Sequence, residues 1–566
     1  MNRKDLRKQN TLQLILSVAI VFIICYISSY IFFRIDLTQE KRFTISPVSK
    51  NILKKLPDEV LIKVYLDGDI PLGFKRLQKA VREMLDEFRI YAGQNINYQF
   101  IDPYSNKNNK AVNDLIKDLY DKGLQPTNVK IKDEKGGLSQ KIIIPGAILA
   151  YNGIEIPINL LSNNPGLSGE ENLNNSLQSL EYNLISNISN ITNKKIEKIA
   201  FLEGHGELDN YQTGDITREL ANYYQVDRGQ VNGDVHSLDP YKVIIIAKPQ
   251  KAFSEEDKFA LDQYLMNGGK ILWLIDAVTI STDSLSSGAA LAYIPQLNID
   301  DQLFKYGIRI NPSLVEDIQC SFIPINTALT GSSPKFTPVS WWYYPLLSGS
   351  QLHPVSRNIN LVKTEFCNYV DTLAANGKLK KTVLLATSKY TKIRNVPCLV
   401  ALSEVRENPD RQSFNKSFLP VAVLVEGHFE SVFKNRMLNH LKLKGNITFK
   451  EESKPAAMIV IADGDVIKND VRFTAQGTLI SPLGYDRYTS QTFGNKEFIL
   501  NAVNYLTDEI GLMSLRTREI KLRLLDREKI RDEKMKWILI NTLLPLVFIM
   551  LFGTAVLFIM KRKYAK

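Results

Sequence analysis

The stretch from Tyr241 to Asp276, YKVIIIAKPQKAFSEEDKFALDQYLMNGGKILWLID, decides the fold. Tyr241 to Ala247 is a continuous apolar run, short and rich in β-branched residues, which predicts a strand buried on both faces. Ser254-Glu-Glu-Asp257 is a helix N-cap followed by first-turn acids, and Asn267-Gly-Gly269 supplies the stop, so Ser254 to Asn267 reads as a helix. Lys270 to Asp276 is then a second strand. Upstream the same alternation continues, with a strand at Ile196 to Leu202 and a helix at Thr213 to Tyr224. Together these predict a doubly wound parallel sheet, whose ligand crevice lies beyond the carboxyl ends of its strands.

Downstream, residues 281 to 380 are less regular and rich in Ser, Pro and aromatic side chains, including Trp341-Trp-Tyr-Tyr-Pro345. That cluster is either a sugar-stacking or protein-binding surface or a buried satellite core. Strands return at Thr382 to Thr387, Val421 to Val425 and Ala457 to Asp463, followed by a helix from 494 to 508. This domain spans 196–480.

Nearer the amino end a smaller unit, residues 34–161, reads strand, helix, strand. Its elements are Val60 to Leu66, Phe74 to Tyr91 and Ile96 to Asp102, with Leu77, Val81, Leu85 and Phe88 on one helix face. A right-handed crossover makes the two strands parallel. Lys141 to Ile144, Ala147 to Tyr151 and Ile154 to Ile158 are expected to complete a small, thioredoxin-like α/β sheet that lacks a redox dithiol. Residues 162–195 form a polar linker and a helix from about 177 to 191.

Two charge-free segments bracket these domains. Residues 11–33 and 537–560 are each long enough to cross a hydrocarbon core of about 30 Å. Both are expected to be transmembrane helices, Pro545 being tolerable in such a helix. Arg3, Lys4, Arg7 and Lys8 precede the first, and Lys561, Arg562, Lys563 and Lys566 follow the second. Residues 1–10 and 561–566 are therefore placed in the cytoplasm, and the bulk of the chain outside it. Residues 481–536 form a membrane-proximal segment, in which mixed charges such as Arg527, Glu528 and Lys529 do not override that assignment.

The net charge of +11 over 566 residues owes part of its excess to these topogenic ends. No nucleic-acid motif or single basic block accompanies it, so nucleic acid is not expected as a partner. The cysteines are Cys25, in the first span, and Cys320, Cys367 and Cys398, an odd set without CxxC that still allows one disulfide.

Chemistry is sparse. The chain carries neither a G-x-x-x-x-G-K-[ST] phosphate loop nor a G-x-S-x-G nucleophile elbow. The candidates for a ligand crevice are Glu203, His205 and Glu207, at the end of the strand that begins the large sheet. A metal needs three or four convergent ligands, and His-x-Glu supplies two, so no metal and no cofactor are expected. His428 and Glu430 would complete a set only if their strand adjoined that of His205. Gly204 and Gly206 permit a tight turn at positive φ, with the histidine packed inside it. Asp463-Gly-Asp465 reads as a turn in preference to a cation site.

Several segments together resemble one family. They are Asp36-Leu-Thr-Gln-Glu-Lys-Arg-Phe-Thr-Ile-Ser46, Gly204-His-Gly-Glu207, Ser431-Val-Phe-Lys-Asn-Arg436, Ile461-Ala-Asp-Gly-Asp465, Asn501-Ala-Val-Asn-Tyr-Leu506 and Leu515-Arg-Thr-Arg-Glu-Ile520. Their order is similar to that in the gliding-motility-associated ABC transporter component GldG of Bacteroidetes. The resemblance implies an inner-membrane auxiliary subunit, often described as substrate-binding, that works with a separate ATPase and an ABC permease. It also implies that the large sheet is related in shape to class I glutamine amidotransferases, which are flavodoxin-like. No cysteine here takes the place of such an enzyme's nucleophile, so a non-enzymatic role is expected. The alternatives are a periplasmic hydrolase or metal-dependent enzyme centred on His205 and Glu207, and a structural envelope scaffold.

Overall fold

The computed structural model describes residues 3–30, 44–105, 108–132, 138–162, 167–193, 196–326, 333, 335–373, 379–406, 409–438, 441–444, 448–475, 477–517 and 531–564. The chain divides into two compact units, residues 1–518 and 519–566. Residues 31–33 of the expected first span, most of the connector after it, and residues 518–530 lie outside the described set.

In the first unit, helix α1 (Arg3–Tyr30) carries an apolar run at Thr11–Ile23. Helix α2 (Pro47–Lys54) is capped by Ser46, whose Oγ accepts from Ser49 N–H. Strand β1 (Val60–Val64), helix α3 (Leu72–Ala92) and strand β2 (Ile96–Phe100) form the expected crossover, with Val60 opposite Ile96 in a parallel pair. Phe74, Leu77, Val81, Leu85 and Phe88 are all buried, so the apolar stripe of α3 faces the sheet.

Helix α4 (Asn109–Asp121) and the hairpin β3 (Thr127–Lys132) and β4 (Leu138–Ile143) follow, then β5 (Gly146–Tyr151) and β6 (Ile154–Asn159). The sheet order is β2-β1-β5-β6, with β5 antiparallel to β1 and β6 antiparallel to β5. The segment around Lys141, expected inside this sheet, pairs instead with β3. Helix α5 (Gly169–Thr192) closes this part, held at its start by a reciprocal capping box between Ser168 and Glu171. Its Leu180, Leu184 and Ile188, four residues apart, are buried in the same core as β1 and α3.

The larger sheet begins with β7 (Lys198–Leu202), α6 (Gly214–Ala221), β8 (Gln225–Gly229), β9 (Val243–Ala247), α7 (Glu255–Met266) and β10 (Lys270–Leu274). Every residue of β9 is buried, and each isoleucine withdrawn from water contributes roughly 1.5–3 kcal/mol. Ser254 caps α7 through its Oγ, and Gly268 leaves the helix at φ +96°. A side chain on Gly269 would meet the Tyr264 ring at 2.4 Å, which is why the stop carries two glycines.

The stretch 281–380, read from sequence as less regular, is rich in strands. In chain order these residues and their flanks form β11 (Thr279–Ile280), α8 (Thr282–Ser286), β12 (Ala289–Tyr293), α9 (Asp300–Lys305), β13 (Ile308–Asn311), β14 (Ser313–Asp317), β15 (Cys320–Asn326), β16 (Phe336–Gly349), β17 (Val362–Lys363), β18 (Tyr369–Thr372) and β19 (Leu379–Ala386). Then come β20 (Thr391–Asn395), β21 (Cys398–Ala401), β22 (Pro420–Gly427) and β23 (Ala456–Ile461), and α10 (Asn495–Thr507) ends the domain.

The large sheet has ten strands in the order β15-β16-β19-β22-β23-β10-β9-β7-β8, with β17 paired to β16. It is mixed. The five strands β23, β10, β9, β7 and β8 are parallel, and β22, β19, β16 and β15 extend them in antiparallel pairs. The parallel sheet expected from sequence is thus half of the real one: β22 and β19, which match the strands expected at 421–425 and 382–387, join it in antiparallel pairs, and β16 and β15 come from the stretch read as less regular. From β7 the chain adds β8 on one side and β9, β10 and β23 on the other, so β7 and β9 flank a topological switch point. Right-handed crossovers in opposite directions put α6 and α7 on opposite faces.

Trp341 and Tyr343 point from β16 into a satellite core with Leu314, Phe366 and Val400. The aromatic cluster is therefore a core in these two residues, while Trp342 and Tyr344 on the other face of the strand are half-buried.

The second unit, by itself, has one described helix, Lys534–Tyr564. Lys534–Arg562 within it contains an 18-residue stretch with a mean hydropathy of 2.6 and, among the described residues, is the one helix long and apolar enough to cross a membrane.

Candidate functional site

The loop after β7 leaves the sheet at the switch point. Gly204 and Gly206 adopt φ of +120° and +76°, as their spacing predicted, and fold His205 back beneath the sheet edge. The His205 ring stacks on Phe253, with centroids 3.7 Å apart and planes 13° from parallel. Its Nδ1 lies 3.0 Å from Glu207 Oε1 and its Nε2 3.2 Å from Asp257 Oδ2. Burial works against its protonation, but the hydrogen bonds to Asp257 and Glu207 and their charges outweigh that and raise its pKa from 6.5 to about 9. At neutral pH it is an imidazolium that donates from both nitrogens.

Asp257 comes from the first turn of α7, where it also accepts from Gly233 N–H. Burial would raise its pKa, but His205 and the other donors hold it below the ordinary carboxylate value. The His205 carbonyl in turn accepts from Gln250 and Lys251 N–H, both at 2.8 Å, and Leu208 N–H donates to Ala247 O. The loops after β7 and β9 are thereby sewn together across the switch point. His205 and Glu207 come together as the sequence suggested, but as a buried clamp with neither ring nitrogen open.

Glu203 belongs to another arrangement. Its Oε1 accepts from Arg228 Nε at 2.7 Å, and the same guanidinium reaches Thr213 Oγ1 and Leu208 O. His428 and Glu430 do not join His205. Three strands separate β22 from β7, and the antiparallel run of β22 puts its carboxyl end at the opposite edge of the sheet. There His428 Nδ1 bonds Ser453 O, and Glu430 pairs with Lys305 and Lys434.

A different charged group occupies the carboxyl ends of the three neighbouring strands. Lys248 follows β9, Asp276 follows β10, and Asp463-Gly-Asp465 follows β23. One oxygen from each of the three aspartates lies within 4.8 Å of the others, and the Lys248 ammonium pairs with Asp276 Oδ2 at 3.0 Å and with Asp465. Gly464 N–H donates to Asp276 Oδ1, and Asp463 accepts from Asp465 and Glu365 N–H.

Burial and then the neighbouring Asp465 and Asp276 carboxylates push Asp463 well above the usual carboxylate range. Burial also raises Asp465, but Lys248 and Lys468 overcome this and bring it to about 2. Lys248 therefore serves as the cation of the aspartate trio. The Asp463-Gly-Asp465 segment, expected as a turn, opens a short 3-10 helix (Gly464–Ile467) that Asp463 caps by accepting from Asp465 N–H, and it is also part of a built charge cluster. Lys248 holds φ +55° there, and a side chain on Gly464 would come within 2.5 Å of its Cβ and Cγ.

Of the cluster, Asp465 reaches a cavity of about 280 Å³ that it lines with Lys468, Lys363, Glu365, Tyr485 and Arg487 among others. Sequence reasoning missed Lys248 and Asp276. The available signal was the rule that ligands bind beyond strand carboxyl ends, applied to every parallel strand and not only the first.

Cys320, Cys367 and Cys398 are all free, which corrects the disulfide allowed for them. Burial pushes the Cys320 thiol up to about 12 and raises Cys367 well above its ordinary value.

These features sit in a chain whose residues 197–502 match a family described as an ABC-type uncharacterized transport system. The match covers more than half of the chain and spans the large sheet from β7 into α10, and the protein belongs to this family of ABC transport auxiliary components. Residues 39–150 match a separate domain of unknown function. An "Uncharacterized protein" of Borreliella burgdorferi (strain ATCC 35210 / DSM 4680 / CIP 102532 / B31) is 22% identical over 584 residues, covering 98% of this chain and 99% of its own. Among solved structures, the mmIFT52 N-terminal domain is similar at 14% identity and a TM-score of 0.31, covering 55% of this chain and 97% of that one.

Proposed function

We propose that the protein is a membrane-anchored, extracytoplasmic subunit of an ABC transporter that works beside a separate ATPase and a polytopic permease. The observation that carries this reading is the family match across the large sheet. The apolar helix Lys534–Arg562, at about 1.5 Å per residue, exceeds a hydrocarbon core of about 30 Å and serves as one anchor. The apolar run in α1 serves as the other, with both termini cytoplasmic by the flanking lysines and arginines. The order and polarity of β2-β1-β5-β6 support a thioredoxin-like first domain. In chain order the strands β8-β7-β9-β10-β23 run 2-1-3-4-5, which supports a flavodoxin-like, amidotransferase-like second one.

In this reading the charged cavity at the strand carboxyl ends is where the ectodomain meets cargo or a periplasmic partner. The assignment to gliding motility rests on the resemblance of motifs alone. The enzymatic alternative draws no support from His205, whose two nitrogens are engaged. A genetic comparison tests the proposal. Inactivating the partner ATPase by replacing its phosphate-loop lysine is expected to reproduce the phenotype of deleting this chain. Full function with an inactive ATPase, but not without this chain, would instead identify an envelope scaffold.

A further inference from the structure

A cavity of about 590 Å³ lies at the end of the parallel strands opposite the aspartate cluster, between the amino ends of β10 and β23 and the turn that follows α10. One row of the sheet contributes to its floor. In register across four strands stand Lys380 on β19, Glu426 on β22, Ala457 on β23 and Lys270 on β10, all on one face. With strands about 4.8 Å apart, the two lysine backbones stand about 14 Å from each other. Between Glu426 and Lys270 the row offers only the Ala457 methyl group, and Pro354, Leu506 and Met513 add further apolar lining.

The cations of this cavity lack a counterion. Lys270 is half-buried, and among the described residues its ammonium makes no hydrogen bond and no ion pair. Burial, and then the like charge of Lys242, lower its pKa. Burial works against the half-buried Lys248 and Lys363 too, but Asp465 and Glu365 beside them raise both. Lys380 is exposed and equally unpaired. Glu426 stands opposite it, yet no ion pair joins them, and Glu426 Oε1 accepts from the Tyr505 hydroxyl at 2.7 Å. The other acid of the lining, Asp508, accepts from the N–H groups of Ile510, Gly511 and Met513.

A third donor borders the same space. His353 is 8% exposed, and its ring meets Tyr505 at a steep angle, with centroids 4.8 Å apart. Val355 N–H donates to its Nδ1, and burial and then the Lys380 charge lower its pKa to about 4, so at neutral pH the ring is uncharged with its one hydrogen on Nε2. That N–H has no acceptor among the described residues and is not one of the fully buried polar atoms left without a partner, so it keeps surface for a ligand. Two unpaired ammoniums and a free N–H select an anion. The two resident carboxylates limit its charge, which favours a monoanion, and the apolar lining suits a body of carbon. We propose that this cavity binds an organic monoanion, a carboxylate on a compact apolar body, with Lys270, Lys380 and His353 as its donors.

The site does not rest on the transport reading, because binding is measured on the purified chain. The full-length protein in a neutral detergent is screened by saturation-transfer NMR against benzoate and hexanoate, with the detergent-only signal subtracted. Benzamide, benzylamine, phenyl phosphate and acetate serve as the neutral, cationic, dianionic and body-less arms. Benzoate or hexanoate is expected to bind roughly ten-fold or more tightly than any of these. Lys270→Met and Lys380→Met are each expected to weaken that binding roughly ten-fold or more. Lys270→Met is also expected to raise the urea midpoint of the ligand-free chain, since it removes an unpaired half-buried charge, and a lowered midpoint would count against the site. Lys380 is exposed, so Lys380→Met decides the matter if Lys270→Met fails to fold. The proposal is overturned if neither carboxylate binds, if one of the other four compounds binds as well or better, or if affinity is unchanged in a folded variant. A chain that co-purifies with a permease yet binds neither carboxylate would remove this site and leave the transport reading intact.

Discussion

His205 carries the firmest prediction at the scale of single residues. Its folded pKa of about 9 stands above the unfolded 6.5, so its stabilisation is fully present below about pH 6.5 and is lost as pH rises through 9. A shift of that size corresponds to about 3 kcal/mol. Urea denaturation of the wild type between pH 6 and pH 10 is expected to show a decline of that order, largely absent in His205→Gln. Asp257 has the opposite sign: its depressed pKa stabilises the fold above the ordinary carboxylate range and is lost on acidification. His205→Ala leaves Glu207 and Asp257 facing each other without a cation and is expected to cost about 3–5 kcal/mol at neutral pH. The thiols give a simpler check. In a Cys25→Ser background, maleimide at pH 7 is expected to spare Cys320 and Cys367 in the folded chain and to label all three remaining cysteines after denaturation. Rapid labelling of Cys320 in the folded chain would contradict the burial described for it.

Among the elements, the ends of β9, β10 and β23 depend on one another through Gly464 and Lys248. Gly464→Ala forces its new carbon against Lys248 Cβ and is expected to cost about 1–3 kcal/mol in thermal or urea unfolding. Trp341→Ala opens the satellite core and is expected to cost about 3–5 kcal/mol, with faster proteolysis of the segment around β16. The elements also show what the sequence discloses. The strand Tyr241 to Ala247, the cap at Ser254 and the glycine stop were legible because each is a local pattern with a local cause. The early start of α5 was hidden, because Asn172, Asn174 and Asn175 masked a helix that the Ser168-Gly-Glu-Glu171 capping box announces. The antiparallel half of the large sheet was hidden as well, since β19 pairs with β22 and β22 with β23 across tens of residues that no short window contains. The β3–β4 hairpin within 127–143 was missed because its second strand was assigned to the neighbouring sheet. The same holds for the sites. His205 and Glu207 are two residues apart and were seen together, whereas Asp257, Lys248 and Asp276 reach their partners only after the strands align.

For the whole molecule, the account is of an ABC transport auxiliary component in which a mixed α/β sheet carries a charged cavity at the carboxyl end of β23. If both terminal segments are anchors, removing residues 519–566 alone is expected to leave the chain in the carbonate-resistant membrane fraction. Removing residues 1–43 as well is expected to release it. The measurement that bears most directly on the central claim is affinity purification of the full-length chain from native membranes after mild crosslinking, with its companions identified by mass spectrometry. A polytopic ABC permease and an ATPase with a phosphate-binding loop are expected to be recovered in near-stoichiometric amounts. Recovery of the chain with neither of them would contradict the account.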